Sequence, residues 1–268
     1  MAGILDEIVA AKRQELALQK EQVSLAALQE QMAEQPAPLS LSGALTVGGI
    51  RLIAEVKKAS PSRGLLCPDF DPLRLAGVYA ANGAAAISVL TDLRFQGELA
   101  HLAQIKSSGA SGSAPVLRKD FIFDPYQVYE ARAAGADALL LIVAVLPPQL
   151  LKELLNLSHR LGMESLVEIH DEAELQAAVE SGAQIIGINN RDLRTFTTDL
   201  SVTQRLAPLL PKDKVVVSES GIFNREHLAQ LGGGLVNAVL VGEALVTAPD
   251  VAGKVRELTG ASVPSAGP

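Results

Sequence analysis

Cysteine is almost missing from this chain: Cys67 is the only one in 268 residues. A lone thiol closes no internal disulfide and builds no cysteine-rich metal site, so a reducing compartment and a cytoplasmic location are expected. Basic clusters are missing too, and the net charge is -7, which argues against nucleic acid as a partner. The longest apolar run, Ala138 to Leu146, is too short to cross a bilayer, and no membrane partner is expected. Asp6 and Glu7 interrupt the N-terminal residues where a secretory signal would need an apolar core. His101, His159, His170 and His227 share no metal-ligand spacing and read as surface or helix residues. Neither a GxGxxG nor a P-loop pattern occurs, so dinucleotides and nucleoside triphosphates are not indicated.

What the chain does have is apolar material, 48% of its residues, laid out in alternating short and long patterns. Ile4, Leu5, Ile8 and Val9 recur at helical spacing among charges, and a second helical piece runs from Ser24 to Glu34. Pro36, Pro38, Gly43, Gly48 and Gly49 then mark an irregular approach to the first strand. From there strands are expected at Leu52–Val56, Ala85–Leu90, Val116–Lys119, Ala138–Val143, Glu164–Ile169, Gln184–Ile188, Val215–Ser218 and Ala238–Val241, with helical patterns between them. Asp71-Pro72 and Asp124-Pro125 place proline at a first helical turn, where its missing N–H is harmless. Gly83, Gly135 and Gly182 end helices. Gly232-Gly233-Gly234 reads as a turn before the eighth strand. Eight strand-helix units in one chain of this size predict an α/β fold, a closed (β/α)8 TIM barrel over residues 51–260. Residues 1–50 form an N-terminal helical extension, and residues 261–268 are expected to be a disordered tail.

Several of these strands end in charge. Alternation along a strand puts Lys119 on the same side as Leu117, and equal-parity counting puts Glu55, Lys57, Glu168, Asn189 and Glu219 on the matching side of their own strands. In a barrel the carboxyl ends of the strands carry the active site. The bland reading, solvated loop charges or structural ion pairs, fits any one of these residues. It fits poorly a set of two lysines, three glutamates and an asparagine on one rim. Buried lysine needs carboxylate partners, and a lysine among three glutamates stays protonated, which suits a proton donor and not a Schiff-base nucleophile. Glycines in Glu219-Ser220-Gly221-Ile222 and Val241-Gly242-Glu243-Ala244 would let backbone approach an anion after strands seven and eight. There the Glu243 carboxylate is expected to face solvent and its N–H to face the anion.

Over nearly its whole length the chain resembles the indole-3-glycerol phosphate synthase family. The stretches that carry the resemblance are Ile53-Ala54-Glu55-Val56-Lys57-Lys58-Ala59-Ser60-Pro61-Ser62, Ile87-Ser88-Val89-Leu90-Thr91-Asp92, Leu117-Arg118-Lys119-Asp120-Phe121-Ile122, Leu166-Val167-Glu168, Gly187-Ile188-Asn189-Asn190-Arg191-Asp192-Leu193 and Ser218-Glu219-Ser220-Gly221-Ile222. The resemblance implies a carboxy-lyase of tryptophan biosynthesis that needs no metal and no cofactor. Its small-molecule phosphosugar substrate, 1-(2-carboxyphenylamino)-1-deoxyribulose 5-phosphate, closes to an indole with loss of carbon dioxide and water. By motif match Lys119 is the general acid and Glu168 the general base, with Lys57 contacting substrate as a second acid. Glu55, Asn189, Glu219 and Ser220 hold hydroxyls and orient the lysines. Ser60, Phe95, Phe121, Leu140 and Arg191 bind the substrate body. Lys57, Ser220, Gly221, Gly242 and the Glu243 N–H take the phosphate. The resemblance also implies that the extension packs on the barrel mouth, and that the chain is a monomer or weak homo-oligomer. Two segments depart from the family pattern: Arg94-Phe95-Gln96-Gly97-Glu98 has one aromatic and an acid, and Lys106 to Ala114 is a longer Gly/Ser-rich insertion. Competing readings are another phosphosugar barrel, such as an Amadori isomerase or a Schiff-base aldolase, and a catalytically silent barrel serving as a complex partner.

Overall fold

In the computed structural model, which describes residues 4–261 apart from residues 62, 193, 194, 196, 232 and 233, the eight aliphatic runs all become strands. They are β1 (Arg51–Val56), β2 (Ala86–Leu90), β3 (Val116–Lys119), β4 (Ala138–Ile142), β5 (Glu164–Ile169), β6 (Ile185–Asn189), β7 (Val215–Glu219) and β8 (Ala238–Val241). Each is hydrogen-bonded in parallel to its neighbours in sequence, and β8 pairs with β1, so the sheet closes. Parallel neighbours require a crossover, which the intervening helices supply. Asp71 and Asp124 start two of those helices, their side chains accepting from the backbone N–H groups of Arg74 and Tyr126, with the proline in the first turn as expected.

Strand alternation sorts the core into two. Ile53, Leu117, Leu140, Leu166, Val217 and Leu240 fill the barrel interior. Leu52, Ile87, Val116, Leu139, Val167 and Ile186 point the other way and pack under the helices. Each fully buried aliphatic side chain contributes about 1.5–3 kcal/mol, and both sets depend on a register that a one-residue slip would invert.

Two helices, α1 (Ile4–Gln22) and α2 (Leu25–Ala33), precede the barrel. The stretch expected to be irregular instead contains a one-turn helix, α3 (Leu41–Leu45), whose two leucines are fully buried among the interior residues. Five residues are too few to show a helical period. What holds this helix is tertiary: Ser40 caps it, and the Ser42 N–H and hydroxyl both donate to Glu164 at the start of β5, from 2.9 and 2.5 Å. It thus plugs the amino end of the barrel. The Ser/Pro/Gly tail predicted to be disordered lies outside the described residues from position 262 on, as do Gly232 and Gly233 of the predicted turn and Ser62 and Leu193 of the quoted motifs. Among the described residues no helix is long and apolar enough to cross a membrane.

At the same end Asp137, 1% exposed, gathers four interactions. It accepts from the Val116 N–H at 2.6 Å, the Leu39 N–H at 2.9 Å and Lys106 Nζ at 2.7 and 2.9 Å. Lys106 opens the Gly/Ser-rich segment, so that insertion is tied to the barrel end opposite the charged rim. Removing one partner of a buried pair leaves the other without compensation. Asp137→Ala is therefore expected to cost about 3–5 kcal/mol, measured as a drop in urea midpoint at unchanged slope. A loss below 1 kcal/mol would show that water replaces the carboxylate.

Candidate active site

At the carboxyl ends of the strands the inward positions stop being aliphatic. Ile53 gives way to Glu55 and Lys57, Leu117 to Lys119, Leu166 to Glu168, Ile185 and Gly187 to Asn189, and Val217 to Glu219. All of them line one open-mouthed cavity, whose empty space counted out to the mouth is about 1210 Å³. The remaining residues singled out from the sequence, Ser60, Phe95, Phe121, Leu140, Arg191, Ser220, Gly221, Gly242 and Glu243, line the same cavity. The strand-end charges therefore converge as parity requires.

Glu55 is the pivot of the charge arrangement. Its two oxygens face two ammonium groups, Lys57 Nζ at 3.3 Å and Lys119 Nζ at 3.7 Å. Burial opposes ionisation of Glu55, but the two lysines outweigh it and hold the carboxyl below its ordinary range. For Lys119 burial again disfavours the charge. The nearby carboxylates, Glu55 first and then Glu168, with Glu219 adding its charge only once it ionises, override that and push it up to about 12, so it stays an ammonium at physiological pH. Lys57 also lies over the Phe95 ring, 5.4 Å from its centroid. Glu219 stands differently. It is 1% exposed, and among the described residues neither of its oxygens has a hydrogen-bond partner. Burial and the neighbouring Glu168 charge push its carboxyl up to about 8. A neutral carboxylic acid thus sits beside ionised ones, able to donate as well as accept.

Two glycines make room for this. A Cβ on Gly187 would run into the Glu219 carboxylate, and one on Gly242 into that of Glu55. Gly242 therefore clears space for an acid, besides allowing backbone approach at the end of β8. The turn after β7 is held in an uncommon shape, with φ of 65° at Ser220 and 80° at Gly221. Asn190, buried beside β7, secures it: its amide donates to the Ser218 hydroxyl at 2.9 Å and to the carbonyls of Glu219 at 2.9 Å and Ser220 at 3.1 Å. That tether offsets the cost of a left-handed serine. Next to it, across the β7–β8 pairing, Gly242 caps the short helix Glu243–Val246, whose first N–H groups have no partner within the helix. The Glu243 carboxylate does not face free solvent as expected. It pairs with Arg63 Nη1 at 3.3 Å, from the loop after β1, which cancels the charge that would otherwise oppose an anion.

Three residues escaped the sequence reading. Lys12, on α1, is buried and inserts between strand-end acids, 2.8 Å from Asp120 and 3.1 Å from Asp92. Arg94 pairs with Asp92 and donates to the Ile8 carbonyl at 2.8 Å. Together they seat α1 on the rim, where Leu5 and Ile8 join the cavity wall. The third is His170, read as a surface or helix residue. It lies at the end of β5 with Nε2 3.4 Å from Glu168, and the parity that selects Glu168 selects it too.

A (β/α)8 barrel whose carboxyl rim holds paired lysines and glutamates, beside glycine-containing turns after β7 and β8, defines an acid–base enzyme of the barrel class. The family model for indole-3-glycerol phosphate synthase matches residues 5–258, and the chain belongs to that family. Relatives named indole-3-glycerol phosphate synthase include one from Dehalococcoides mccartyi, 55% identical over 257 residues, covering 95% of this chain and 99% of that one. Another, from Roseiflexus sp., is 55% identical over 269 residues, covering 98% of this chain and all of the other. Among solved structures, 3-hexulose-6-phosphate synthase from Salmonella typhimurium superposes with a TM-score of 0.63 at 16% identity, over 79% of this chain and 97% of that one. Thiamine phosphate pyrophosphorylase from Pyrococcus furiosus gives 0.59 at 17% identity, over 82% of this chain and 96% of the other. At such identity these two support the barrel alone.

The Glu219 carboxyl gives a pH test. Folded protein holds its proton until about pH 8, whereas the unfolded chain releases it in the ordinary carboxylate range. The group's stabilising share is full below that range and is lost as pH rises toward 8. Glu219→Gln removes the dependence, so the variant's stability relative to the parent should climb between about pH 5 and pH 8 and level off above. Urea unfolding across that range checks it, and a flat difference would mean that Glu219 is ionised throughout.

Proposed function

We propose that this chain forms indole-3-glycerol phosphate from 1-(2-carboxyphenylamino)-1-deoxyribulose 5-phosphate, with Lys119 as general acid and Glu168 as general base. The observation that carries the assignment is the environment of Lys119: an ammonium held protonated by Glu55 and Glu168 inside the cavity that Glu168 also lines. In the first step the ring carbon that bears the carboxylate attacks the ribulose carbonyl, and Lys119 protonates the oxygen as negative charge develops there. The C–CO₂ bond then breaks and its electron pair restores the aromatic ring. In the last step Glu168 takes a proton and the hydroxyl departs as water, Lys57 supplying the second proton.

The surrounding residues fit subsidiary roles. Glu55 sets the spacing of the two ammonium groups, which it faces from 3.3 and 3.7 Å. Asn189, Glu219 and Ser220 hold the hydroxyls. Phe95, Phe121 and Leu140 flank the aromatic ring, with Ser60 and Arg191 on the polar side. The phosphate rests against Ser220, Gly221, Gly242 and the Glu243 N–H, within reach of Lys57, because helix N-termini and glycine turns present unpaired N–H groups to anions. The same reading takes residues 1–50 as an extension that covers the mouth of the 51–260 barrel. It has the enzyme working in the cytoplasm, as a monomer or weak homo-oligomer, on a small phosphosugar and without nucleic acid, membrane or cofactor. The burial of the lone thiol, Cys67, suits that compartment.

Incubating the protein with the carboxyphenylamino-ribulose phosphate should raise indole fluorescence. Lys119→Ala is expected to lose about 10²–10⁴-fold in kcat or more, since that is what one placed proton donor contributes. Borohydride added with substrate should leave the protein unlabelled. Folded protein that makes no indole refutes the function, and a covalent adduct at Lys119 would favour the aldolase reading.

A further inference from the structure

Along β5 the inward side chains are Leu166 and Glu168, and the next residue of that parity is His170. Leu166 belongs to the interior core, and Glu168 lines the cavity; His170 lies just behind it and is not part of the cavity wall. Its ring stands between two carboxylates. Nδ1 is 3.0 Å from Glu174 Oε2, which also accepts the His170 backbone N–H at 2.8 Å. Nε2 is buried and, among the described residues, has no hydrogen bond of ordinary geometry; the polar group it faces is Glu168 Oε1 at 3.4 Å.

Glu174 is itself well anchored. It sits in the first turn of the helix Glu172–Ser181, its N–H donating to the capping carboxylate of Asp171 at 2.9 Å. The ring plane of His170 is therefore set by the helix that follows β5. A neutral imidazole can donate from only one nitrogen, and Glu174 claims Nδ1; the bare Nε2 would then turn a lone pair toward Glu168. An imidazolium donates from both. We propose that His170 is the positioning residue of Glu168: an imidazolium, oriented by Glu174, whose Nε2–H faces the Glu168 carboxylate and keeps it aimed into the cavity. This rests on the reading of Glu168 as the general base.

The charged groups around His170 favour the cation. They are Glu168 on its own strand, Glu174 on the following helix and Glu219 on β7, with Lys119 on β3 beyond Glu168. Burial works against the charge, yet the Glu174 hydrogen bond and the carboxylates of Glu168 and Glu174 raise the imidazole above its ordinary value. The charge is thus present below that raised value and lost as pH rises through it.

Two side chains separate the ring's two contacts. Asparagine places an amide near Nδ1 and can keep Glu174, whereas glutamine places one near Nε2 and can reach Glu168. His170→Asn should lower kcat by about 10- to 100-fold through misplacement of the base, leave KM nearly unchanged, and move the acid limb of the kcat–pH profile to higher pH. His170→Gln should recover part of kcat without restoring that limb, since it returns a hydrogen bond but no charge. In the wild-type enzyme, a ring-proton NMR titration should give His170 a midpoint above about 6.5, and Glu168→Gln should lower it. The idea is overturned if His170→Asn keeps the parental kcat and profile, if it scales kcat equally at every pH as a folding defect would, or if the His170 midpoint ignores Glu168→Gln. Glu168→Gln with full activity removes the base assignment itself. An inactive Glu168→Gln beside an unaltered His170→Asn removes only this proposal.

Discussion

Lys119 must remain charged in a cavity that would otherwise strip its proton. Moving an ammonium out of water is unfavourable by several kcal/mol after relaxation, and burial here works in that direction. The fold answers with carboxylates from two separate strands, Glu55 on β1 and Glu168 on β5. Too many acids in one place would repel one another, and the structure limits that as well. Glu55 is neutralised by Lys57 and Lys119, and Glu219 keeps its proton to about pH 8. Glu168 has His170 behind it. The groups form one interacting set, in which the protonation of Glu219 follows the charges around it.

A closed parallel barrel makes such a set possible with short strands. Every strand turns alternate residues inward, so an acid or lysine two positions beyond the last interior aliphatic arrives at the same rim. The register then sets who meets whom: Asn189 lies beside Glu219, and Gly187 beside Glu168. Gly187 shows how closely packed the result is, because any side chain there would occupy the space of the Glu219 carboxylate. The opposite end of the barrel is closed with hydrophobic and hydrogen-bonding material, α3 and Asp137.

Much of this was legible in the chain alone. Strand positions came within a residue at every end, because a parallel strand buried on both faces reads as an aliphatic run, and parity identified the inward charges without knowledge of their contacts. The failures have separate causes. Helix α3 is too short to be periodic and is made by burial of Leu41 and Leu45. Lys12 looks like any cation on an amphipathic helix; only the barrel brings Asp92 and Asp120 beneath it. His170 was weighed only as a metal ligand or surface group, though the alternation that selects Glu168 reaches it two residues later. Glu243 was read correctly as a problem of charge, but its solution, Arg63, comes from a loop some 180 positions earlier in the chain.

At the edge of the cavity a second charged network bears on the first. Arg118 and Asp120 flank Lys119 in sequence; Arg118 points under the helices, and Asp120, just past the end of β3, reaches the cavity wall. Arg118, 2% exposed, binds Asp120 at 3.1 Å and Glu130 at 2.7 Å. Asp120 further accepts from the Thr91 hydroxyl at 2.6 Å and meets Lys12 of α1 at 2.8 Å. Buried ion networks are weak evidence for stability, since desolvation consumes much of what the pairing returns. Their geometric effect is plainer: the backbone on both sides of Lys119 is fixed by partners just past β2, on the helix Pro125–Ala133 and on α1. Docking of α1, which brings Leu5 and Ile8 to the cavity wall, thereby bears on the same strand end that presents Lys119. The seating of α1 and the anchoring of the β3 end share one residue, Asp120, which meets Lys12 on one side and Arg118 on the other.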